Sequence, residues 1–201
     1  MTRRNLIALG ATSVVACAEA PLVVPVHRLM DTRAVVSKET LGRFWGKIWP
    51  EAFRDFSRSG VELKTSDGAG EIRKSPADRP VIMGLQHGVI NLVLTNHIPM
   101  YWDNGRALAG VSALYGPHHL CMIALRYAHG HQIPFLSVNT CVHEMLHVLL
   151  QDIYANRPKW YQAGEHETRI DWYATRMWLF RDGSAIRKAA RAYVERLRAT
   201  S

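Results

Sequence analysis

His143, Glu144 and His147 stand in the order His-Glu-x-x-His. Residues four apart on a helix share one face, about 6 Å apart along the axis, so both imidazoles can reach one cation. Glu144 lies beside them, where its carboxylate can hold a water at that cation. Two histidines, a third protein ligand and one open position make a catalytic rather than a structural zinc site. Zinc lowers the pKa of such a water to about 7, and a neighbouring carboxylate can take its proton during attack on a carbonyl. Chance alone would give the pattern about 0.02 times in a chain of this composition. The plainer alternative is a helix with two hydrogen-bonded histidines and a solvated glutamate. Val142, Met145, Leu146, Val148, Leu149 and Leu150 weigh against it. So apolar a segment should be buried, and buried imidazole and carboxylate groups need partners, which a metal supplies.

A third ligand must come from elsewhere. Downstream the chain reads Gly164-Glu165-His166-Glu167-Thr168-Arg169-Ile170-Asp171-Trp172-Tyr173-Ala174. Glu167 and Asp171 are four apart, on one face of an expected helix. Here the sequence resembles the gluzincin metallopeptidases, and most of all their minimal single-domain forms. Their pattern is HExxH followed by Glu-x-x-x-Asp on a later helix, and the resemblance spans residues 140–174. It implies His143, His147 and Glu167 as zinc ligands and Glu144 as general base. It also implies that Asp171 hydrogen-bonds to His143 from behind and orients it, as ligating histidines commonly require. The metzincin extension fails, because Val148-Leu149-Leu150-Gln151-Asp152 follows His147 where glycine and histidine are needed. His166 stays open as the third ligand in place of Glu167. Neighbouring helical positions point about 100° apart, so one ion does not take both. His166, Tyr154, Tyr161 and Tyr173 are also candidates for stabilising a developing oxyanion. His129 and His131 read either as a second site or as solvated loop residues, and His118 and His119 as corner residues of a hairpin.

The helix that carries this motif must be held by a core, and 201 residues with 48% hydrophobic and 21% charged composition can build one domain. A net charge of +8 permits anionic partners. Without a Lys/Arg-rich block, zinc-finger spacing or an RNP-like run, no nucleic-acid partner is expected. The expected partner is a peptide or protein substrate.

Residues 1–20 read as an export signal. Arg3 and Arg4 precede a short apolar run, which resembles a bacterial twin-arginine signal. Val14-Val15-Ala16-Cys17 resembles a lipoprotein cleavage box, and Ala16-Cys17-Ala18 fits ordinary cleavage, so a lipid anchor and a free chain are both open. No later stretch reaches 18 apolar residues, so the mature chain is not expected to span a membrane. The expected location is outside a bacterial cytoplasm: periplasmic, lipid-anchored or extracellular. In an oxidising compartment Cys121 and Cys141 read either as a disulfide or as two buried thiols.

Residues 21–37 read as a linker and 38–201 as the domain. Apolar residues at helical spacing predict a helix over 38–57, with Pro50 as a kink or break. The tryptophans Trp45, Trp49, Trp172 and Trp178 read as core. Strands are expected at 61–65, 81–83 and 88–94, a loop at 66–79, and a hairpin of 107–115 with 119–127 turning at Gly116-Pro117. Helices follow from 139 or 140 to 154, over 165–181, and over 185–199 after a Ser184 cap. The expected fold is α+β and zincin-like, a small, mostly antiparallel sheet packed on the HExxH helix, with a helical C-terminal part. The expected activity is that of an exported Zn²⁺ peptidase. A non-enzymatic zinc-containing binding protein and a cell-wall amide hydrolase are the alternatives.

Overall fold

A run of branched apolar residues, interrupted by one proline, forms the central strand. β1 (Leu22–Asp31) pairs with β2 (Val61–Lys74) on one side and with β4 (Ile90–Thr95) on the other. The expected linker over these residues is thereby corrected. Val24, Val26, His27, Leu29 and Asp31 are all buried, so both faces of the strand are covered. A strand buried on both faces reads as a continuous apolar run without alternation. Pro25, which suggested a linker, precedes the first residue paired with β4, Val26. It lies where β1 has one neighbour only, and a missing N–H is tolerated there as at an edge. The structure is a computed structural model that describes residues 20–76, 80–96, 98, 110–125, 138–150, 170 and 183–199.

With β3 (Pro80–Met83), β5 (Gly110–Tyr115) and β6 (His118–Ala124), the sheet order is β3-β2-β1-β4-β6-β5. β2, β1, β4 and β6 run parallel, and β3 and β5 are antiparallel edges. The fold is α+β, as expected, but the sheet is mixed with a parallel centre rather than mostly antiparallel. The helical connection between β1 and β2 explains the difference, since a parallel pair needs a long crossover. β2 also runs through Ser66–Lys74, where a loop was expected. Its glycines reflect packing: a Cβ on Gly68 would come within 2.8 Å of the His27 ring.

The crossover holds α1 (Lys38–Arg43), a π-helical turn over Phe44–Ile48 and α2 (Trp49–Arg58). Pro50 cannot donate a helical hydrogen bond. The helix widens just before it, where the Trp49 N–H reaches back five residues to the Phe44 carbonyl. Phe44, Ile48, Trp49, Ala52 and Phe56 face the core. Trp45 does not, contrary to expectation. It is 36% exposed, with the Arg28 guanidinium 4.9 Å from its ring centre. The hairpin β5–β6 turns at Gly116-Pro117 as expected, with Gly116 at φ 58° in the first turn position, where glycine carries no steric cost. α3 (Val138–Leu149) packs on β5 and β6, and α4 (Ser184–Ala199) on α3 and β1. Ile170 is helical and fully buried, and the rest of the helix expected over 165–181, with Trp172 and Trp178, lies outside the described residues. No helix among the described residues is long and apolar enough to cross a membrane. Residues 1–19, with Arg3, Arg4 and Cys17, lie outside the described residues.

His119 links β6 to α4. It is buried, with Nδ1 2.8 Å from the Tyr193 hydroxyl. Burial, helped by the charges of Arg196, His87 and His118, pushes its pKa down to about 4. Unfolded histidine titrates near 6.5. Between those values the unfolded chain binds the extra proton and the native chain does not, so stability falls as pH falls through this window. The loss from this residue is expected to reach about 3 kcal/mol near pH 4. Urea midpoints followed from neutral to acid pH should fall more steeply for the native protein than for His119→Gln. Parallel profiles would refute the assignment.

Candidate metal centre

α3 turns Cys141, Val142, Met145, Leu146, Val148 and Leu149 into the core. That fixes the other side of the helix. Glu144 and His147 are buried at 7% and 8% exposure, and His143 is half-buried. The Nε2 atoms of His143 and His147 are 2.9 Å apart, with ring centres 4.7 Å apart. The two nitrogens therefore converge on one point. A tetrahedral zinc with bonds of about 2.0–2.1 Å holds two nitrogens about 3.3 Å apart, so a small ring adjustment admits the ion. At 2.9 Å the two nitrogens are at hydrogen-bond distance, closer than the spacing across a zinc ion.

The edge strand β5 holds Glu144. The Ser112 hydroxyl lies 2.7 Å from the Glu144 carbonyl oxygen and 2.9 Å from Oε2 of its carboxylate. The one hydroxyl proton goes to either oxygen, and by either bond Ser112 ties the strand to the helix at Glu144. Gly110 supplies the space: a Cβ there would meet Cγ and Cδ of Glu144 at 2.5 and 2.7 Å and overlap Oε1. Sequence reasoning missed both residues. Only the general meaning of glycine in a strand, close approach by another group, could have pointed to Gly110. Nothing local marks Ser112.

Cys121 and Cys141 are buried, free thiols, so the structure takes the second of the two readings left open for them. Burial first, and the Glu144 carboxylate second, push the Cys141 thiol up to about 12 and raise Cys121 well above its ordinary value. Both remain neutral thiols, and Ser112 Oγ approaches Cys121 Sγ at 3.6 Å.

The structure thus brings His143 and His147 together and places the Glu144 carboxylate against Ser112 and Gly110 of β5. His166, Glu167, Asp171, His129, His131, Tyr154, Tyr161 and Tyr173 lie outside the described residues. Among the described residues, no group of three His, Cys, Asp or Glu side chains could hold a metal ion. The third ligand therefore rests on the sequence pattern. His118 is half-buried, with Nδ1 3.1 Å from the Gln86 carbonyl oxygen, and His119 is committed to Tyr193. Comparisons with family models, curated proteins and solved structures find no match for this chain.

Proposed function

We propose that this chain is an exported zinc-dependent peptidase with a zincin-like domain. The convergence of the His143 and His147 Nε2 atoms beside a buried Glu144 carboxylate carries the reading. His143, His147 and Glu167 would hold Zn²⁺, which supplies Lewis acidity toward a carbonyl and acidifies water. Glu144 does the proton work. Its carboxylate takes a proton from the attacking water as the new C–O bond forms. It then gives that proton to the amine nitrogen as the C–N bond breaks. Ser112 holds the carboxylate in place. β5 is the last strand in the sheet order, and its outer edge can align an extended peptide by strand addition.

The test is metal analysis of the purified mature protein together with a peptide-library digest. One zinc per chain and cleavage that stops on chelation and returns with zinc are expected. Stoichiometric zinc with no hydrolysis would favour the binding-protein alternative, and cleavage confined to cell-wall amides would displace the peptide substrate. Replacing Arg3 and Arg4 by lysine should retain the chain in the cytoplasm, as cell fractionation would read; normal export would remove the twin-arginine assignment.

Two substitutions in β5 probe the placement of Glu144. Gly110→Ala forces the carboxylate aside and should lower kcat by about 100-fold, the usual result of a misplacement near 1 Å. Ser112→Ala removes a hydrogen bond worth about 0.5–1.5 kcal/mol and should lower kcat roughly 2- to 10-fold. Both should retain zinc. Unchanged kcat in Gly110→Ala would mean that Glu144 does not act from this position.

A further inference from the structure

β1 and β2 place Arg28 directly opposite Asp67. Their side chains form a two-bonded pair, in which Arg28 Nε and Nη2 each donate to one carboxylate oxygen of Asp67 at 2.7 Å. The same guanidinium lies over two indole rings, 4.9 Å from the centre of Trp45 and 5.5 Å from that of Trp49. Trp49 is buried, but Trp45, four residues before it, is not. Trp45 belongs to the π-helical turn Phe44–Ile48, which takes the helix off its regular period. Such turns inside α-helices are rare and concentrate at functional sites. A cleft of about 310 Å³ opens where this indole meets the ion pair, lined by Arg28, Met30, Trp45, Asp67 and Gly68. The size is at the small end of ligand pockets. The cleft stands on β1, β2 and the crossover, whereas the HExxH helix packs on β5 and β6.

Arg28 and Asp67 are the ionisable groups of this lining, and their charges cancel. An anion meets the Asp67 carboxylate and a cation meets the Arg28 guanidinium, so the cleft suits a neutral occupant. The pair is still rich in hydrogen-bonding capacity. Each Asp67 oxygen accepts one bond from Arg28 and keeps a second lone pair. The N–H groups of Arg28 Nη1 and the Trp45 indole N–H meet no acceptor among the described residues. Beside these donors and acceptors lie apolar surfaces, the indole of Trp45 and the half-buried Met30. The occupant therefore needs an apolar face and a rim that both donates and accepts.

We propose that this cleft binds one pyranose ring of a saccharide. The C–H face of the ring packs on the indole, whose negative face attracts it, and on Met30. Hydroxyls at the rim donate to Asp67 and accept from Arg28. The inference is independent of the peptidase reading.

The test is titration of the ¹⁵N-labelled protein by NMR, following the indole N–H signal that disappears in Trp45→Phe. The probes are the methyl glycosides of glucose, galactose, mannose and N-acetylglucosamine. Sorbitol supplies the hydroxyls without the ring, and N-acetyltryptophanamide supplies a ring without the hydroxyls. At least one glycoside should shift the Trp45 signal with a Kd below ~10 mM and bind about tenfold or more tightly than either control. The corresponding tetrasaccharide then distinguishes the source: tighter binding points to a polysaccharide chain, and equal binding to a free sugar. Trp45→Ala should weaken that glycoside about tenfold by removing the stacking face. Asp67→Asn should weaken it about tenfold by removing a charged acceptor. The proposal is overturned if no glycoside binds below ~10 mM, if either control binds as tightly, or if both variants bind as the native protein does. The comparison of probes needs no variant, and Asp67 is exposed, so the test decides even if Trp45→Ala does not fold.

Discussion

Glu144→Gln is expected to keep the fold and the zinc and to lose about 10²–10⁴-fold in kcat. Glutamine has nearly the same shape as glutamate. Its side-chain carbonyl can still accept from the Ser112 hydroxyl, which lies 2.9 Å from Oε2 in the native site. It also fits the space left by Gly110. What it cannot do is take a proton at neutral pH. Removing the carboxylate thus separates the proton work from the packing work of the same side chain. Zinc content by metal analysis and kcat on a cleaved library peptide are the two readouts. Turnover within a few-fold of the native value would refute the general-base role. Loss of zinc would show instead that Glu144 helps hold the metal.

Why the spacing rule found this helix and missed its neighbours follows from the range of each interaction. The histidine pair is local: four residues on one helix determine that His143 and His147 approach each other. The β5–β6 hairpin is local too, because Gly116-Pro117 fixes its turn. β1 was obscured by Pro25, whose missing N–H matters only if the strand has a partner on that side, and a partner far along the chain is not visible in the local pattern. β2 was obscured in the same way. Asp67, Gly68 and Gly70 have loop composition, yet Gly68 is small because the His27 ring lies over it, and Gly70 because the Met83 carbonyl oxygen of β3 would lie 3.1 Å from a Cβ there. The parallel direction of the central strands depends on that same pairing. Ser112 and Gly110 reach Glu144 from 32 and 34 residues upstream, and no periodicity connects them. Trp45 follows the helical period of the core but is stacked with Arg28 at the surface instead.

Glu167→Ala is expected to cost more than about 100-fold in zinc affinity, beyond the 10–100-fold typical when only a partner behind a ligand is lost. The reason lies in the donor set. Two neutral imidazoles leave the full +2 charge of the ion, and a carboxylate oxygen lowers it to +1 while completing three protein ligands. That residual charge still acidifies a water in the fourth position. Asp171, one helical turn further on, is expected to accept from the ring N–H of His143 that faces away from the metal and so fix its tautomer. Asp171→Asn should therefore cost about 10–100-fold in affinity or activity, less than the ligand itself. His166→Ala should leave zinc bound, and a fall in kcat alone would mark His166 as a donor to the developing oxyanion. Competition with a chromogenic chelator, run on all three variants beside kcat, separates these roles. If His166→Ala strips the metal and Glu167→Ala retains it, the third ligand is a histidine. The gluzincin resemblance then fails at its distinguishing residue, while the pair on α3 still holds the ion.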